Sequence, residues 1–113
     1  MIDNYTTLVY GWKLTGDKVN EIQNELEDFD EDYFDKFQDI MVEDSMCGNY
    51  FYFGAILAHY DCNEEDSLVV DNDLIEKSTD KYNKAIYGYP KLKEIFDKYK
   101  DGEPKLYIFQ NIW

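Results

Sequence analysis

Five acids recur at spacings of 4, 3, 4 and 4 residues along one stretch of this chain: Asp28, Asp32, Asp35, Asp39 and Glu43. On a continuous helix, residues three and four apart are neighbours, so all five would share a narrow sector of the surface. With a rise of about 1.5 Å per residue, successive carboxylates would stand about 5–6 Å apart along the axis. That is of the order of the separation between neighbouring phosphates on a nucleic-acid strand, whose axial rise is about 3.4 Å per nucleotide. Such a row could enter a basic groove built for DNA or RNA. The ordinary alternative is a solvated helix face, which is what most charge runs are. A second acidic cluster, with Glu64, Glu65 and Asp66 inside the stretch Asp61 to Asp66, favours the binding reading.

Other constellations point less far. Asp28, Asp30, Asp32 and Asp39 stand at positions 1, 3, 5 and 12 of a calcium-type loop. Its sixth position, however, is Tyr33 where a sharp turn needs Gly, and its twelfth lacks the bidentate Glu. A helix cap with solvated acids accounts for the same residues. Cys47, His59 and Cys62 are three soft ligands where a closed zinc site needs four. A Cys62–His59 nucleophilic pair lacks a third group to orient it. Ser45, Ser67 and Ser78 lie in no nucleophile elbow, and neither a P-loop nor a GxGxxG run is present. The expectation is a protein without catalytic residues, metal or cofactor.

Charge bounds the partners. The 113 residues carry 25 acids against 11 bases, a net charge of −14, and all 11 bases are Lys. Direct nucleic-acid binding needs a basic footprint, and bidentate phosphate or guanine readout normally needs Arg. An anionic membrane surface is excluded on the same ground. A basic protein is the complementary partner, with solubility alone as the plainer role for the charge. The distribution is polarised: residues 17–48 carry 12 acids and 2 Lys, residues 61–80 carry 8 acids and 1 Lys, and residues 81–105 carry 7 Lys and 4 acids. Eleven Tyr, seven Phe and two Trp exceed what one small core needs, so some face a partner or a second copy. Tyr50, Tyr52, Tyr60, Tyr87, Tyr89 and Trp113 are the candidates for such a surface, and a homodimer is one way to use it.

The elements that must position these residues follow from periodicity. Residues 5–14 alternate, with Leu8, Tyr10, Trp12 and Leu14 on one face, which predicts a strand. Val19, Ile22, Leu26 and Phe29 recur at helical spacing. A second helix is expected from a cap at Asp30 to Gly48, with Phe34, Phe37 and Met41 inward and the acidic row outward. Residues 49–60 are apolar on both faces, as in a central strand. A short strand is expected over Ser67–Val70, then a helix opened by Asp73 and Glu76, and another opened by Pro90. Lys105 to Trp113 reads as a last strand.

The order β-α-α-β-(β)-α-α-β predicts a single compact α+β or α/β domain, with a three- to four-stranded mixed sheet covered by about four helices. No signal peptide or membrane span is apparent, and unpaired cysteines suit a reducing cytoplasm. Abundant Lys, Asn, Tyr and Ile with no Arg suits A+T-rich codons, hence a low-G+C bacterium or its phage.

In size and charge the chain resembles the small acidic proteins that phages make to block host nucleases, the anti-restriction and anti-CRISPR inhibitors. The resemblance implies a non-catalytic inhibitor acting in the cytoplasm of a bacterial host. The alternatives are a homo-oligomeric accessory protein and a small-molecule binder, which would show a deep pocket lined by perturbed carboxylates.

Overall fold

A computed structural model describes residues 4–43, 50–61 and 69–112. The strand predicted at the N-terminus is β1 (Asn4–Thr15). Gly16 ends it at φ +65° and opens α1 (Asp17–Phe29), which buries Val19, Ile22 and Leu26 as its spacing requires. A single helical turn, α2 (Tyr33–Lys36), leads to the short strand β2 (Met41–Glu43) and then to β3 (Tyr50–Asp61). The helices α3 (Asn72–Tyr87) and α4 (Pro90–Tyr99) precede the last strand, β4 (Lys105–Ile112).

The four strands form one sheet in the order β2-β3-β1-β4, and every pairing in it is antiparallel. The domain is therefore α+β, and the expected mixed sheet is corrected to an antiparallel one. The α3–α4 crossover joins β3 to β4, which run in the same sense, but β1 lies between them and pairs antiparallel with both, so no parallel pair arises.

Three further expectations are corrected locally, one of them only at its described end. The long second helix is replaced by one turn and a strand. Asp30 is extended, its side chain accepts from the Asp32 N–H at 2.9 Å, and its carbonyl accepts from the Tyr33 N–H. A side chain that captures a nearby backbone N–H in this way competes with helix continuation. Beyond Phe37, the consecutive apolar residues Ile40, Met41 and Val42 are all buried, Met41 on one face of the sheet and Val42 on the other. Only a strand sends neighbouring side chains into two cores. Val69 and Val70, the end of the expected short strand, lie in no regular element and are exposed, while Ser67 and Leu68 fall outside the described residues. The cap of α3 is Asp71 rather than Asp73, its side chain accepting from the Leu74 N–H at 2.9 Å.

The helices cover one face of the sheet. Leu8 and Leu14 of β1, Phe51, Phe53 and Leu57 of β3, and Met41 meet Ile22, Leu26, Ile86, Leu92, Ile95 and Phe96 there. Phe53 stacks between Trp12, at 5.5 Å, and Phe96, at 4.7 Å between ring centroids. A bulge opposite Leu8 and Val9 makes Leu57 the extra residue of β3, so that Leu57 and Ala58 both turn to this core. On the other face Val9, Val42 and Tyr52 are buried beneath Tyr50, Ile56, Tyr107 and Phe109. Tyr52 and Phe109 lie parallel at 4.0 Å, and the Lys13 ammonium sits 5.6 Å from the Tyr52 ring. The doubly apolar strand is central, as its pattern demands, between β2 and β1.

Candidate functional site

The acidic row is distributed over three elements instead of one. Asp28 is in the last turn of α1, Asp32 caps α2 without a side-chain hydrogen bond, Asp35 is within α2, and Asp39 lies in the turn before β2. The even helical spacing of carboxylates does not hold, because the helix stops at Phe29. What holds is exposure: all four side chains are exposed, as are Glu27 and Glu31 between them.

Glu43 departs from the row. It sits on β2, partly buried, and its carboxylate accepts from Gln23 Nε2 at 3.0 Å and from the Tyr33 hydroxyl at 3.1 Å. It ties α1 and α2 to the edge of the sheet. Glu64, Glu65 and Asp66 lie outside the described residues, as do Cys47 and Cys62.

Lysines are unevenly placed against these acids. Among the described residues, Lys36 pairs with Asp30, Lys77 with Asp73, Lys91 with Glu94, Lys93 and Lys100 with Asp97, and Lys98 with Glu25. None of these pairs includes Asp28, Asp32, Asp35 or Asp39. Asp35 accepts a long 3.4 Å contact from Gln38. The segment from Glu27 to Asp39 thus presents a surface whose negative charge is largely uncompensated.

The calcium-loop reading loses its third position, since Asp30 holds Lys36 at 2.5 Å and the backbone of Asp32. Among the described residues no three His, Cys, Asp or Glu side chains are grouped to hold a metal ion. His59 points its Nδ1 at the Thr7 hydroxyl, 2.7 Å away, and burial pushes its imidazole below the usual pKa. It lines a cleft of about 300 Å³ with Phe34, Gln38, Asp39, Met41 and Lys81. Among the described residues the carboxylates held clearly below their ordinary range are Glu25, Asp30 and Asp97, and none of the three borders that cleft. Lysine partners are the first cause in each case. These three perturbed acids mark surface ion pairs.

Glu25 gives a measurable case. Lys98 and the Tyr99 hydroxyl both donate to it, joining α1 to α4, and these bonds lower its pKa from the ordinary 4.5. A carboxyl whose folded pKa lies below its unfolded value stabilises fully above the unfolded value. That stabilisation is lost as pH falls through the folded value. Solvent screening keeps the effect small, so Glu25→Gln is expected to cost about 0.5–1 kcal/mol at neutral pH. The difference should shrink as pH falls through the folded value, measured by urea unfolding at neutral pH and across an acid series.

Of the aromatic candidates, Tyr52 is buried, Tyr50 is half-buried, and Tyr87 and Tyr89 are exposed. Tyr89 sets its ring edge to face against Phe37 at 5.0 Å. The side chain of Tyr60 and all of Trp113 are outside the described residues. Sequence reasoning missed Leu106 and Ile108, which are 46% and 67% exposed on β4. Their alternation with Tyr107 and Phe109 was visible, but not that the helices stop short of that strand.

Compared with known proteins, the chain matches no family model, no curated protein and no solved structure. Among the described residues no helix is long and apolar enough to cross a membrane.

Proposed function

We propose that this is a non-catalytic binding protein that uses the acidic segment Glu27–Asp39 to occupy a basic surface on a partner protein. The partner of best fit is a nucleic-acid-binding enzyme, which places the chain among phage-type inhibitors of host nucleases, of the anti-restriction or anti-CRISPR kind, working in a bacterial cytoplasm. One observation carries the reading: among the described residues Asp28, Asp32, Asp35 and Asp39 are all exposed without a lysine ion pair, the segment's one lysine, Lys36, is taken by Asp30, and the other five paired lysines hold acids outside the segment. Unpaired like charges in one segment repel one another, which a merely soluble surface would relieve by interspersing lysines.

Mimicry here rests on charge density over a turn and not on phosphate-like spacing along a helix. The acids of the segment remain available to arginines and lysines of a groove, where complementary potentials raise the association rate.

The test is capture of host proteins on the immobilised chain, followed by elution with salt and, separately, with duplex DNA. The expected catch is a nucleic-acid-binding enzyme released by both, because counterions and phosphates compete for the same basic groove. Retention that survives both washes, or a catch without nucleic-acid-binding activity, would overturn the proposal.

A further inference from the structure

We propose that β4 is a self-association edge, through which two copies pair antiparallel about a two-fold axis to give one eight-stranded sheet. This inference is independent of the acidic surface, which lies on other elements.

The strand β4 pairs only with β1, so its outer row of backbone groups faces away from the sheet among the described residues. Proteins usually blunt such an edge with charged residues, a proline, a bulge or brevity. β4 has little of this. Lys105 stands at its first position, and the seven residues Leu106 to Ile112 carry no charge and no proline. Its register with β1 runs unbroken from Gly11 opposite Lys105 to Asn4 opposite Ile112. Leu106 and Ile108 are exposed on the helix side, while Tyr107 and Phe109 are half-buried on the other. A paired strand would therefore cover apolar side chains on both faces.

Charge selects a second copy as the occupant. In a two-fold contact each residue near the axis meets its own counterpart. With a net charge of −14, most surfaces of this chain would set acid against acid. The other sheet edges illustrate this. β2 is three residues long and carries Glu43, and the stretch of β3 beyond its pairing with β2 ends at Asp61, beside a cleft that includes Asp39 and Lys81. β4 is the edge without an acid. An extended strand is also complementary to its own copy, since antiparallel pairing exchanges identical rows of donors and acceptors.

Sedimentation equilibrium over a range of protein concentrations, at low and high salt, tests this. The wild-type chain should show a monomer–dimer equilibrium that shifts toward dimer with salt, because screening relieves repulsion between two acidic bodies. Ile108→Lys, at an exposed position, should raise the dimer dissociation constant at least about 100-fold with an unchanged circular dichroism spectrum. Tyr87→Lys, at a tyrosine 87% exposed on α3, should leave the dimer intact. A monomer under all conditions overturns the proposal. So does a dimer that Ile108→Lys leaves unchanged, that Tyr87→Lys dissolves, or that salt weakens. A failure here leaves the DNA-displaceable capture described above unaffected, so the two readings fall separately.

Discussion

The triple variant Asp32→Lys, Asp35→Lys and Asp39→Lys should lose partner binding by at least about 100-fold, roughly 3 kcal/mol, while folding as well as the parent. Three reversals, each worth two charges, take the net charge only from −14 to −8. None of the three side chains is buried or holds a lysine, and Asp32 makes no capping bond that its loss would remove. Surface changes of this kind usually move stability by about 0.5 kcal/mol or less. A matched control separates local from global charge. Glu76→Lys, Asp80→Lys and Glu103→Lys bring the same charge change at exposed positions on α3 and before β4. The control should retain most of the affinity and lose only part of its salt dependence. Equal losses in both variants, by calorimetry or surface binding at matched ionic strength, would mean that net charge acts alone and that Glu27–Asp39 is no site.

Gly54→Ala should cost at least about 3 kcal/mol, a large share of the ~5–15 kcal/mol that holds a domain of this size together. Gly54 has φ +140°, which L side chains rarely adopt, and it stands directly opposite Gly11 in the β1–β3 pairing. A Cβ there would sit 2.7 Å from both the Gly11 Cα and the Tyr10 carbonyl oxygen. These are backbone atoms of the central strand pair, so neither can swing aside. A Cβ at Gly11 would meet the Phe53 carbonyl oxygen at 2.2 Å, so Gly11→Ala should be comparably damaging. The Gly54 N–H also donates to the Ile40 carbonyl at 2.9 Å, which fixes where β2 begins. Strain at Gly54 would therefore reach the turn that displays Asp39. Urea unfolding reads the effect directly, and a loss below about 1 kcal/mol would contradict the close approach.

Much of the architecture was written in local patterns. Alternation marked β1, helical spacing marked α1, α3 and α4, and apolar residues on both faces marked β3 as central. These signals are legible because each element buries its own periodic stripe whatever lies opposite it. The acids at 28, 32, 35 and 39 were legible as a charged surface for the same reason.

Tertiary structure alone decided the rest. Phe34, Phe37 and Met41 keep helical spacing, yet Ile40, Met41 and Val42 form an edge because β3 offers a strand to pair with and two cores to fill. That choice turned the supposed acidic helix into a turn and drew Glu43 into bonds with Gln23 and Tyr33. Gly11 and Gly54 are 43 positions apart, and only the pairing register shows that each exists for the other. Likewise, Lys105 to Trp113 was legible as a strand, but that Leu106 and Ile108 are exposed follows from β4 being the edge strand. Periodicity specifies which side of an element is apolar, whereas strand order specifies what, if anything, covers it.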